Sequence, residues 1–109
     1  MSERQLSAAW ATIRVARATM TELLAGSYLV LPTVGSPTPR VNATHEEVDA
    51  HRQSTLRLTT LASLSGFPAV SIPAPSPDDA PLGVSLVSAA GTDRGLLDLA
   101  QRVGKELGV

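Results

Sequence analysis

A chain of 109 residues, 43% hydrophobic and 17% charged, has the composition of one globular domain at most and not that of a disordered segment. Nine Lys and Arg against ten Asp and Glu give a net charge of -1, and the arginines are scattered. This argues against nucleic acid, whose phosphates are bound by clustered cations that displace counterions. The absence of cysteine excludes disulfides, thiol nucleophiles and thiolate metal sites, and fits a reducing compartment.

The first predicted element is a helix over residues 2–25. Leu6, Ala9, Trp10, Ile13, Ala16, Met20, Leu23 and Leu24 recur at the spacing of one helical face. Ser2 and Gln5 have capping-box spacing, and Gly26 is a natural stop. The polar start is not a secretory leader, and no run reaches the roughly 18 apolar residues of a membrane span. The expectation is a soluble, cytoplasmic chain with no membrane partner. Tyr28-Leu29-Val30-Leu31 is a short apolar strand ended by Pro32, of the kind buried on both faces.

A loop over 33–43, punctuated by Gly35, Pro37 and Pro39, leads to Thr44 and Glu47, a second capping-box pair. These open a helix from about His45 to Ser65, with Val48, Leu58, Leu61, Ala62 and Leu64 on its apolar face. Gly66 fits the left-handed position after the helix, and Pro68 blocks continuation. Ala69 to Ile72 reads as a second strand closed by Pro73, Ala74 to Pro81 as an exposed turn, and Leu82 to Val87 as a third strand. The last helix starts near Thr92, whose hydroxyl is expected to cap it. Leu96, Leu99, Ala100, Val103 and Leu107 line one face, and Gly108 ends it.

The pattern is α/β, with three helices and three short strands in a single partial domain spanning residues 1–109. Strands apolar on both faces want neighbours on both faces and both edges. Three are too few to shelter one another, so the sheet is expected to continue in another chain or segment.

No self-contained catalytic site is legible. His45 and His51 are six apart and point to different helix faces, while Glu47 and His51, four apart, offer at most two ligands, so no metal site is expected. Asp78 and Asp79 are adjacent in a proline-rich turn, not opposed across a substrate. No serine sits in a Gly-x-Ser-x-Gly elbow, and no glycine-rich phosphate loop occurs. Lys105 is the lone lysine, and its place near a helix C-terminus is explained by the helix dipole. Neither a catalytic residue nor a cofactor is assigned.

Three segments, in order, do carry a resemblance. They are Leu29-Val30-Leu31-Pro32-Thr33, then Leu58 through Pro73 with Ser65-Gly66-Phe67-Pro68-Ala69-Val70-Ser71-Ile72, then Pro81-Leu82-Gly83-Val84-Ser85-Leu86-Val87 with Asp93 and Leu96-Leu97. From about residue 24 onward the chain resembles the C-terminal portion of the amidase signature family, hydrolases of amide bonds that use a Ser–cis-Ser–Lys triad. The resemblance implies a large mixed sheet flanked by helices, of which this chain supplies the last strands and helices. It implies that triad and oxyanion loop lie upstream, and that Thr33, Thr59, Leu61 and Ser63 line the substrate pocket. The chain departs from the family's pattern at Ser27, where Asp is frequent, at Ser85, where Gln is usual, and at Ser63, where Asn is common.

The resemblance thus implies a C-terminal fragment or small subunit of an amide hydrolase, not catalytic alone. Its partner would be a polypeptide carrying the N-terminal amidase region, or further copies in a homo-oligomer. The alternative expectation is a catalytically inactive, amidase-derived module kept for binding or assembly.

Overall fold

The computed structural model describes residues 1–75 and 82–109. The expected turn at Asp78 and Asp79 falls outside the described residues. The elements follow the predicted order: α1 (Glu3–Leu23), β1 (Leu29–Pro32), α2 (His45–Ser65), β2 (Ala69–Ala74), β3 (Leu82–Val87) and α3 (Asp93–Glu106).

Both capping boxes form. Ser2 Oγ accepts from the Gln5 amide at 3.2 Å and the Gln5 side chain accepts from the Ser2 amide at 2.9 Å. Thr44 and Glu47 reciprocate in the same way at the start of α2. Gly66 closes α2 at φ +72, a backbone region open to glycine at little cost. Thr92 departs from expectation. Its backbone is not extended, its side chain makes no cap, and its hydroxyl instead donates toward Ser88 Oγ and the Ala89 carbonyl, each at 2.6 Å.

The three strands form an antiparallel sheet in the order β1-β3-β2. Pro32 and Pro73 therefore both sit on edge strands, where a missing amide donor is tolerated. β2 also runs one residue past Pro73, because that proline turns its nitrogen away from β3. On one face α3 lies across β2 and β3, packing Leu96, Leu99, Ala100, Val103 and Leu107 onto Val70, Ile72 and Leu86. Gly104 faces Ile72 on the sheet, where a β-carbon would stand at ordinary contact distance, 3.8 Å from Ile72 Cγ2. On the opposite face a smaller cluster joins Leu24, Phe67 and Val87, flanked by Met20, Leu29, Leu31 and Ala62.

The strands are not buried on both faces within this chain. Only the end of β3 is fully enclosed, while β1 and most of β2 alternate between half-covered and exposed, and Val30 is 63% exposed. The reason is that α3 reaches only two strands and the other cluster covers only one end of the sheet. α1 packs along α2, yet buries no residue completely, and Leu6 and Trp10 on its predicted apolar face are about half exposed.

The result is a slab of 47 × 39 × 16 Å with a radius of gyration of 16.5 Å. A compact chain of this length has about 13 Å. Its accessible surface is 8003 Å². A compact monomer of the same mass exposes about 5,700 Å².

Candidate functional site

The strand register brings three hydroxyl side chains together. β3 pairs Ser85 with Leu31 on one side and with Ser71 on the other. Side chains alternate across a sheet, so Leu31, Ser85 and Ser71 share a face. Thr33, two residues beyond Leu31, joins the same face, held by its amide donating to the Gly83 carbonyl at 3.0 Å. There Thr33 Oγ1 lies 2.7 Å from Ser71 Oγ and 2.8 Å from Ser85 Oγ.

Gly83 makes this possible. A β-carbon at Gly83 would stand 2.8 Å from Thr33 Oγ1 and 2.9 Å from Ser71 Oγ. The cluster grades from Ser85, buried, through Thr33, half-buried, to Ser71, exposed. Three hydroxyls with two contacts among them retain one proton and several lone pairs for a further partner. The three members are all hydroxyls with no base among them, so the cluster has hydrogen-bonding capacity but no group to activate a nucleophile.

A second polar contact ties the loop after β1 to α2. Ser36 Oγ and His51 Nδ1 are 2.7 Å apart, and Ser54 Oγ donates to the His51 carbonyl at 2.9 Å. Gly35 lies so close to α2 that an added β-carbon would fall 2.2 Å from Ser54 Oγ. Ser36 and His51 form a hydroxyl–imidazole pair through Nδ1, and among the described residues no carboxylate hydrogen-bonds to the ring. Among the described residues no group of three His, Cys, Asp or Glu stands close enough to hold a metal ion.

The four residues that the resemblance assigned to the pocket fall in three places. Thr33 is the centre of the hydroxyl cluster. Thr59 and Ser63 lie on an exposed side of α2, linked by a Ser63 Oγ bond to the Thr59 carbonyl at 3.3 Å. Leu61 faces the groove between α1 and α2, with Ala16, Met20 and Leu64. Ser71 and Ser36 were not singled out as site residues from the sequence. Ser71 emerges from the register of three strands, while Ser36 and His51 are fifteen residues apart with no motif to link them.

No family model matches the chain. It is 39% identical over 71 residues to Amidase 1 of Arabidopsis thaliana, a match covering 65% of this chain and 17% of that protein. It is also 39% identical over 84 residues to the mitochondrial Outer envelope protein 64 of the same organism, covering 75% of this chain and 14% of that one. Among solved structures it superposes on 6-aminohexanoate cyclic dimer hydrolase, complexed with substrate, with a TM-score of 0.81 at 26% identity. That match takes in 98% of this chain and 25% of the hydrolase. The chain thus spans less than a fifth of the length of these relatives and a quarter of the solved structure.

Proposed function

Because the chain belongs with the amidase signature family in both sequence and fold, we propose that it is the C-terminal part of an amide hydrolase, completing the sheet and one wall of the substrate pocket. The nucleophilic serine, its bridging serine and the neutral lysine lie on another segment or polypeptide. That part activates the serine for attack on the amide carbon, and backbone amides of its glycine-rich turn stabilise the oxyanion. This chain contributes orientation. Thr33, held by Ser71 and Ser85, presents a hydroxyl group to a polar atom of the substrate or of the catalytic segment, and Thr59, Leu61 and Ser63 belong to the surrounding surface.

The reading is carried by one observation: nearly the whole chain superposes on a hydrolase of which it accounts for only a quarter. The surface left bare by α1 and the strand edges supports it as well. The test is hydrolysis of a small set of linear and cyclic amides, including the cyclic dimer named for the structural neighbour. The chain alone is expected to be inert, and the chain with a catalytic region carrying the Ser–Ser–Lys triad is expected to be active. Turnover by the purified chain alone, lost on changing a single serine, would overturn the proposal.

A second reading has an observation of its own. A relative as similar as Amidase 1 is named as an envelope protein, not as a hydrolase. On that reading the chain is an amidase-derived assembly module. It predicts that a partner binds and that no amide is cleaved by the complex.

A further inference from the structure

We infer that the exposed face of α1 carrying Trp10, Arg14 and Arg17 is a docking surface for a short acidic helix of a partner protein. The inference stands on α1 and its contact with α2, and it is independent of the hydrolytic reading above.

Ser7, Trp10, Arg14 and Arg17 recur at the three-to-four spacing that sets side chains on one side of a helix. An open groove of about 460 Å³ runs between them. Trp10 is 52% exposed, both arginines are exposed, and no acidic side chain lines the groove. The positions three and four residues to either side of each arginine hold no Asp or Glu. Two like charges on adjacent turns, with no carboxylate beside them, weaken the helix that carries them. An arriving anion removes that penalty.

Arg17 is already partly fixed. Its Nε donates to the Leu64 carbonyl at 2.7 Å, in the last turn of α2, which has no basic residue of its own. This bond restrains a long side chain and leaves the terminal guanidinium nitrogens for a ligand. A carboxylate matches such a planar fork with two parallel hydrogen bonds.

The spacing and extent of the patch identify the occupant. Arg14 and Arg17 are separated by about 4.5 Å along the helix axis. Two carboxylates one turn apart on a neighbouring helix have the same separation. Trp10, one turn toward the N-terminus, gives a flat apolar bed for an aliphatic side chain of that helix. The patch is also short. Glu3 continues the same stripe beyond Ser7, and Glu22 stands near the other end of α1. A long polyanion or an anionic lipid surface laid along α1 meets like charge at both ends. Two arginines also fall short of the clustered cations that a nucleic acid requires.

Trp10 is the lone tryptophan, so the fluorescence of the full chain reports on this face directly. The probe is a helical peptide with two glutamates three positions apart and a leucine one turn away. The expected result is a saturable change in Trp10 emission. Arg14→Gln should weaken binding about fivefold, the scale of one exposed ion pair. Arg14→Lys keeps the charge and should stay within about twofold. Replacing both peptide glutamates by glutamine should cost about tenfold or more, and added salt should weaken the complex by screening. Circular dichroism of each variant checks that the helices persist. Emission unmoved by the peptide would overturn the inference, as would an affinity indifferent to Arg14→Gln or equal binding of the glutamine peptide. If phosphatidylserine vesicles move Trp10 emission in an Arg14-dependent way and the peptide does not, the face belongs to a lipid surface and the inference is wrong.

Discussion

Thr33 and Ser71, 38 residues apart, bring their hydroxyl oxygens to 2.7 Å across a sheet in which their strands are not neighbours. The span is possible because β3, lying between them, carries Gly83 at the crossing point and so leaves room for both side chains. The absence of a side chain at Gly83 is thus what creates the cluster. In a tightly packed interior such a gap cannot absorb a methyl group without movement.

Gly83→Ala is accordingly expected to destabilise the chain by about 1–3 kcal/mol, the usual range for forcing an extra methyl group into filled space. Thr33 is branched at Cβ and cannot easily rotate away, so the loop after β1 has to shift. Urea denaturation followed by circular dichroism measures the effect. An unchanged midpoint would show that the three hydroxyls are not held as described.

Gly35 makes a tighter approach, to α2. An added β-carbon would lie 2.2 Å from Ser54 Oγ, 2.4 Å from Ser54 Cβ and 3.0 Å from its carbonyl carbon. Backbone is among the atoms met, so rotation of Ser54 gives no relief. Gly35→Ala should lift the loop from α2 and break the Ser36–His51 hydrogen bond, which the imidazole proton and nitrogen resonances of His51 report directly. Ser54→Gly should restore part of that bond in the double variant, a non-additive effect expected of touching residues. Its own helix penalty relative to serine is about 0.5 kcal/mol.

Much of this architecture can be read from the chain, and the places where it cannot are physically distinct. Both capping boxes, the glycine at φ +72 and the seam of Leu96, Leu99, Ala100, Val103 and Leu107 depend on residues within a few positions of one another, and each stands where the spacing put it. Trp10 and Leu6 show the limit of periodicity: it identifies the apolar side of α1 and says nothing about what covers it. The resemblance points to Thr33 as a pocket residue, but its hydroxyl partners Ser71 and Ser85 follow from strand order and register. Those depend on contacts 38 and 52 residues apart. Ser36 and His51 meet only because Gly35 lets a loop descend onto a helix.

The adjacent residues Leu96 and Leu97 offer a test of how little of the molecule is core. Leu96 is 2% exposed between Ile72 and Leu86, while Leu97 is 54% exposed. Leu96→Ala should cost about 2–5 kcal/mol through lost burial and the cavity left behind. Leu97→Ala should cost under about 0.5 kcal/mol in the chain alone. A comparable midpoint shift for the two variants in urea would mean that α3 sits on the sheet by a different face.

Thr92 tests whether a residue with the sequence of a helix cap holds its place for another reason. Its hydroxyl donates toward Ser88 Oγ and the Ala89 carbonyl and takes no part in capping α3, and Ser88 is 2% exposed. Removing the hydroxyl while keeping the shape, as in Thr92→Val, strands the buried Ser88 oxygen without that partner. Such a loss costs about 1–3 kcal/mol. Thr92→Ser keeps the donor and should stay within about 0.5 kcal/mol of the parent. Thr92→Asp separates the two roles. A true cap position accepts Asp readily, whereas here a carboxylate cannot donate to the Ala89 carbonyl and is repelled by it. Thr92→Asp should therefore melt at a lower temperature than Thr92→Ser; if it melts at the same or a higher temperature, the residue is acting as a cap in solution.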